Sequence, residues 1–332
     1  MNIYDIARQC GVSIATVSRV LNRSRNVSDK TREKVIRAIR ESGYTPNAFA
    51  RGLGLDSMHM VGILCTDIAD TFYAKAVSLV ESLLRQKGFD ALLCCTGNDL
   101  ENKKKSLDLL LAKRVDAVIL IGSAFREDID NSHIEKAAKR VPVIIINGLV
   151  ELPNTYCVLC DERAAVRKNV LLLHERGFDD ILYVYDTLTY SGCEKIAGYK
   201  EGLKEAGLPW REALAVRAEK SVDGAARKIG ELAAGGLKFS AAMASEDLLA
   251  VGALKAARDM GRNFPVIGFN NSILAQCSFP SLTTVDNMLE TMCPTAVRIL
   301  TDLWAGKSAP QKVVVSPKFV ERESFRLCRS KK

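Results

Sequence analysis

A chain of 332 residues, 48 % of them hydrophobic, has enough apolar side chains for two or three buried cores, which excludes a largely disordered protein. The net charge of +8 is uneven: residues 1–60 hold ten Lys/Arg against five Asp/Glu, or +5, leaving +3 for the other 272 residues. A compact basic head on a nearly neutral body implies a polyanion as partner of the head. No apolar stretch suits a signal peptide and no run approaches membrane-spanning length, so a cytoplasmic protein with no membrane partner is expected.

In chain order, Asn2 can cap a first helix whose apolar stripe is Ile3, Ile6, Ala7 and Cys10, with Asp5 in its first turn and Gly11 as its stop. Ser13 caps a second helix, IATVSRVLN, with Val17, Val20 and Leu21 facing inward. A third starts at Ser28, buries Val35, Ala38 and Ile39, and stops at Gly43. Three short helices with a tight first turn form an all-α helix-turn-helix head, and the positive charge favours this over a generic helical hairpin at the edge of a larger core. In a recognition helix the N-terminal residues and one outward face meet base edges. Ile14 and Ala15 can offer apolar contact to thymine methyls, and Arg19 a bidentate bond to guanine. Tyr4, Ser13, Thr16, Ser18, Asn22, Ser28 and Thr31 are the candidates for phosphate contact, although Ser13 and Ser28 can serve simply as caps.

From Val61 onward apolar strands alternate with helical stretches. VGILCT (61–66) leads to a helix from about Tyr73 to Gln86, then DALLCCT, a helix, AVILIG, a helix near 129–139, and PVIIIN. A second series, from about Val158, includes ILYVYD, EKIAGYKEGLKEAG, AAMASED and PVIGFN. Alternation of this kind means parallel sheets with helices on both faces, and two such halves make a clamshell with a cleft at the strand ends. The ten cysteines lie scattered in apolar segments, as reduced core thiols do. The CxxC at Cys157 and Cys160 falls in a strand, where the thiols point to opposite faces, so no metal or other cofactor is expected. Three histidines, none near a plausible nucleophile, and no phosphate loop or nucleophile elbow argue against an enzyme.

Two stretches, VSIATVSRVLN and the PNAFARGL within GYTPNAFARGLGLDSMHMVGIL, resemble the LacI/GalR (lactose/galactose repressor) family of bacterial transcription regulators. The resemblance implies a periplasmic-binding-protein-like body of two doubly wound parallel-sheet subdomains, and it covers essentially the whole chain. Its domains would be the head at 1–45, a hinge helix and linker at 46–60, an N-subdomain at 61–160 plus 287–317, and a C-subdomain at 161–286 plus 318–330. SFPSLTTVDNM corresponds to the family's crossing strand, and QKVVVSPKFVERES to its closing strand. The hinge would pair with its partner's in the minor groove, with Asn47, Ala50 and Leu53 as its contact residues and Leu53 wedged between base steps. Gly52 and Gly54 make this helix weak alone, suited to order only on DNA.

Carried over position by position, the effector site would use Asp67, Phe72, Tyr73, Ser123, Asn147, Lys195, Asp223, Glu246 and Asn270. Lys195 stands where the family has a sugar-gripping arginine, Asn270 replaces an aspartate, and Asp223 falls at an aromatic position. Lysine lacks the planar fork of arginine. Together with the acidic residues Glu246, Asp223 and Asp67, these departures favour an amine-bearing ligand over a plain sugar. The expected partners are double-stranded operator DNA, a second copy in a homodimer, and a small-molecule effector, sugar or related; the expected activity is repression at a palindromic operator. Two alternatives are a body answering to a protein co-regulator and a periplasmic-type sugar-binding protein; the second is opposed by the basic head.

Overall fold

Local capping accounts for the three N-terminal helices. The computed structural model describes residues 2–21, 26–43 and 57–326. Helix α1 (Ile3–Cys10) opens on a reciprocal capping box: the Asn2 side chain accepts from the backbone of Tyr4 and Asp5, and the Asp5 side chain accepts from the Asn2 amide. Gly11 ends it in the left-handed conformation, at φ 60°. Helix α2 (Ile14–Leu21) follows a three-residue turn, and α3 (Asp29–Ser42) runs from the Ser28 cap to Gly43, again left-handed. Ile6, Ala7, Cys10, Val17, Val20, Val35 and Ala38 are buried against one another as a small core, with Leu21 and Ile39 at its margin.

The chain divides into two compact units, residues 1–60 with 114–116 and residues 61–113 with 117–332. The larger alternates strand and helix. Its first half contains β1 (Met60–Cys65), α4 (Thr71–Gln86), β2 (Asp90–Cys95), α5 (Leu100–Ala112), β3 (Ala117–Ile121), α6 (Ser132–Ala138), β4 (Val143–Ile146) and β5 (Thr155–Cys160). The second contains α7 (Glu162–Glu175), β6 (Ile181–Tyr185), α8 (Tyr190–Glu205), β7 (Ala215–Arg217), α9 (Val222–Ala234), β8 (Ala241–Ala244), α10 (Asp247–Asp259), β9 (Val266–Phe269), α11 (Ile273–Cys277) and β10 (Thr283–Asp286). The chain then returns through α12 (Leu289–Trp304) and β11 (Lys312–Val315) to the first half, and ends in β12 (Lys318–Val320) and α13 (Glu323–Arg326) of the second.

One sheet has the order β11-β5-β4-β3-β1-β2, the other β12-β10-β9-β8-β6-β7. The strand near Val158 therefore belongs to the first sheet, between β4 and β11, rather than opening the second. The expected single closing strand is two, β11 parallel to β5 and β12 antiparallel to β10, because Pro317 sits between them and supplies no ladder donor. Ile63, Ile119, Ile144, Ile146 and Val158 are fully buried, as expected where helices cover both faces. The edge strand β2 alternates instead. Cys94 is half-buried and Cys95 exposed, and Cys193 and Cys277 are exposed on helices, so these four thiols depart from the expectation of core cysteines.

Helices α7 and α8 cross closely because Gly198 and Gly202 fall one turn apart on α8. A Cβ on Gly198 would lie 2.2 Å from the Arg163 carbonyl oxygen, and one on Gly202 2.7 Å from Val170 Cβ. Backbone cannot yield as a flexible side chain can. Gly198→Ala is expected to destabilise the body by about 1–3 kcal/mol, read as a lower urea midpoint at unchanged slope. The neighbouring Tyr199 is fully buried and donates from its hydroxyl to the Ile181 carbonyl at 2.6 Å, fixing α8 on β6.

In each sheet the strand order reverses once, between β1 and β3 and between β6 and β8. Crevices form at the carboxyl ends of strands at such switch points. Those four strand ends, with those of β4 and β9, position the cleft.

Candidate functional sites

In the head, Val17 and Val20 turn α2 inward, which leaves Ile14, Ala15 and Arg19 exposed on the opposite face, with Thr16 and Ser18 partly exposed beside them. Ile14 keeps 41 % of its surface and Tyr4 62 %, large values for apolar and aromatic side chains in a domain this small. Ser13 Oγ accepts from the Thr16 amide at 3.1 Å and meets Thr16 Oγ1 at 2.9 Å. Ser28 repeats the pattern with Thr31, at 3.4 and 2.9 Å. The Ser13 and Ser28 hydroxyls therefore cap α2 and α3, and the Thr16 and Thr31 hydroxyls are bonded to them. Asn22, Asn47, Ala50 and Leu53 lie outside the described residues.

In the body, the loop after β1 brings in Asp67, Asp70, Phe72 and Tyr73. Asp67 takes the Ala69 amide at 2.9 Å, and Asp70 caps α4 through the Phe72 amide at 2.7 Å. Tyr73 packs its ring on Gly122, whose Cβ would stand 2.6 Å from the ring. The turn after β3 presents Ser123, and Asn147 follows β4 in the left-handed conformation, at φ 59°. Facing them from the second half are Asp186 and Thr189 after β6, Lys195 on α8, Glu246 after β8 and Asn270 after β9. Two adjoining cavities, of about 610 and 550 Å³, run between these groups. Of the nine expected effector residues, eight line them; Asp223 does not. It starts α9, just beyond the Ser221 cap, and points to solvent with 83 % of its side chain exposed, 3.6 Å from Lys255.

The residue that enters the cleft from that segment is Lys220, three positions earlier. Its Nζ lies 2.7 Å from Asp70, 3.3 Å from Glu246 and 3.9 Å from Asp186. Burial works against the charge on Lys220, but the three carboxylates outweigh it and hold its pKa well above the ordinary lysine value. The bond to Asp70 joins the two halves, as does the one from Ser123 Oγ to Thr189 Oγ1 at 2.9 Å. Lys220, Asp70, Asp186 and Thr189 were not among the residues expected from sequence. Asp70 alone carried a local signal, as an Asp ahead of a helix.

Lys195 is engaged within the wall. Its Nζ donates to the Ser245 carbonyl at 2.9 Å, meets Glu162 Oε1 at 3.3 Å and lies 4.1 Å from the Phe269 ring centre. Glu162 in turn accepts from Asn147 Nδ2 at 3.2 Å. Asn270 accepts from Asn287 Nδ2 at 3.0 Å, which orients its amide. Asp247, buried behind the cleft and held by the Thr284 hydroxyl and the Ser272 amide, is pushed by burial up to about 6.

Glu246 is raised to about 7, mainly by burial, with Asp186 and Asp70 adding and Lys220 opposing. The folded chain therefore keeps the Glu246 proton to about pH 7, whereas the unfolded chain releases it near 4.5. Between those values the folded state binds more protons, so stability falls as pH rises through this window. Comparing urea midpoints at pH 5 and 8, Glu246→Gln is expected to remove that part of the decline, at most about 3 kcal/mol.

Residues 2–47 match the model for bacterial regulatory proteins of the lacI family, and residues 170–325 that for a periplasmic binding protein-like domain. An HTH-type transcriptional regulator of Lachnoclostridium phytofermentans is 44 % identical over 330 residues, covering 98 % of this chain and 99 % of its own. The chain belongs to the LacI family of bacterial transcription regulators. The catabolite control protein A of Priestia megaterium, another relative, is 32 % identical over 97 % of this chain and 98 % of its own. Among solved structures, the lac repressor dimer bound to operator and the anti-inducer ONPF superposes with a TM-score of 0.88 at 26 % identity, with 98 % of each chain covered. The complex of the transcriptional regulator CelR with cellobiose gives 0.72 at 28 %, covering 98 % of this chain and 99 % of that one. As a LacI-family member the chain is a DNA-binding transcription regulator whose body has the family's ligand-binding architecture. No helix among the described residues is long and apolar enough to cross a membrane.

Proposed function

We propose that this LacI-family chain is a cytoplasmic homodimeric repressor, not an enzyme, which binds a palindromic operator through α2 and is controlled by a small molecule held between the halves of its body. The observation that carries the DNA reading is the exposed face of α2, where Ile14, Ala15 and Arg19 stand opposite a buried valine pair on a basic head. An operator with two half-sites follows from two-fold symmetry of the protein. In this reading the hinge, residues 46–60, transmits the state of the two subdomains, 61–160 plus 287–317 and 161–286 plus 318–330, to the heads. A coupling of about 1–3 kcal/mol is enough to change operator occupancy usefully. The switch-point cavities and the two bonds across them support the cleft as the effector site.

Footprinting on genomic DNA tests the proposal. A protected site with two-fold symmetry is expected, its half-sites about one helical turn or a multiple apart. Protection of asymmetric sites alone would count against the dimeric reading.

A further inference from the structure

Three carboxylates converge in the cleft on one ammonium. Asp70 comes from the first half of the body, and Asp186 and Glu246 from the second. Around them the cavity is lined further by Asp67 and, as its other cation, by Lys195, whose ammonium is already held by Glu162 and the Ser245 carbonyl. Asp70 and Asp186, joined by Glu246 once it loses its proton near pH 7, leave the acidic side in excess, and Lys220 alone answers it. An anion entering here would meet carboxylates. A neutral polyol adds no charge and would leave Lys220 as the carboxylates' only counter-ion, a place that an ammonium can take.

Two further observations concern how the three carboxylates are satisfied. Glu246 Oε1 is buried with no hydrogen-bond partner, while Oε2 meets Lys220 at 3.3 Å. An ammonium carries three N–H donors, matching three acceptors on different elements. Lys220, by contrast, keeps 43 % of its side chain exposed, and its flexible stem can swing into solvent without disturbing a core.

We propose that the cleft selects a ligand bearing a primary ammonium group, bound by Asp70, Asp186 and Glu246 in competition with the chain's own Lys220. The proposal rests on reading the cleft as the effector site, and adds the class of ligand. Because Asp70 and the other two carboxylates belong to different halves, such an ammonium ties the halves together as Lys220 does. Its remaining substituents extend along the cavity toward Asn270 and Thr189, which line it.

The test uses full-length protein with Lys220→Ala and, should that variant fold poorly, Lys220→Gln. Thermal midpoints are measured in methylammonium chloride, tetramethylammonium chloride and sodium chloride at equal ionic strength. Methylammonium is expected to raise the midpoint of the variant well above both other salts, and that of the wild type much less. Adding Asp70→Asn is expected to abolish the response. An equal response to all three salts in both Lys220 variants overturns the proposal. Titration with glucosamine and glucose, followed by operator affinity, separates it from the effector reading. Glucosamine bound at least ten times more tightly by Lys220→Ala than by wild type supports the competition. Glucose bound at least as tightly as glucosamine, with a change in operator affinity, overturns the ligand class and keeps the effector reading. Methylammonium protection together with an operator affinity unmoved by bound glucosamine upholds the ammonium site and counts against the effector reading.

Discussion

Arg19→Ala is expected to weaken operator binding by about 30-fold to 10⁴-fold. A bidentate arginine–guanine pair discriminates by about 1–3 kcal/mol, and a two-fold complex contains it twice, so the loss is about 2–6 kcal/mol. Arg19 is exposed on the last turn of α2, on the face opposite Val17 and Val20, and no bond holds its guanidinium within the described head. Its replacement therefore leaves the three-helix core intact. The loss should be position-specific: binding to a site altered at the one guanine read in each half should be nearly equal for wild type and variant. Competition binding on operator variants measures this. A uniform loss across all sequences would instead place Arg19 on phosphate.

The second large effect concerns the cleft wall. Glu162 and Lys195 keep only 3 % and 8 % of their side chains exposed, and removal of one partner leaves the other charge buried and unpaired. Glu162→Gln is expected to destabilise the body by about 3–5 kcal/mol. Glu162→Gln combined with Lys195→Met should recover much of this, since no buried charge is left. A double-mutant cycle from urea denaturation gives the coupling directly. Simple additivity of the two single losses would show that Lys195 is held by the Ser245 carbonyl and the Phe269 ring rather than by Glu162.

These two sites differ in how far they could be read from sequence. The head is written in local signals. Asn2 and Asp5 cap α1 reciprocally, Gly11 and Gly43 take left-handed backbone, and Ser13 and Ser28 cap the next helices, all within a few residues of what they fix. The alternation of apolar strand and helix likewise determined the layered body. The cleft is assembled from six strand ends that meet only through topology, so linear position is a poor guide there. A shift of three residues, less than one helical turn, separates Asp223 in solvent from Lys220 among the carboxylates. Asp186 and Thr189 follow β6 with no local pattern to mark them. Lys195 lines the cleft, yet its partners, Glu162 and the Ser245 carbonyl, come from segments 33 and 50 residues away. The exposure of Cys95 depended on β2 being an edge strand, which sequence alternation alone does not disclose.

The central claim is that the basic head holds duplex DNA by charge and reads it by the outward face of α2. Its most direct test is the salt dependence of operator binding by the full-length chain, followed by fluorescence anisotropy. Affinity should fall linearly with salt on logarithmic axes, with a slope of several units, while a preferred sequence stays favoured over random duplex at every concentration. Failure to bind any duplex at low ionic strength would contradict it.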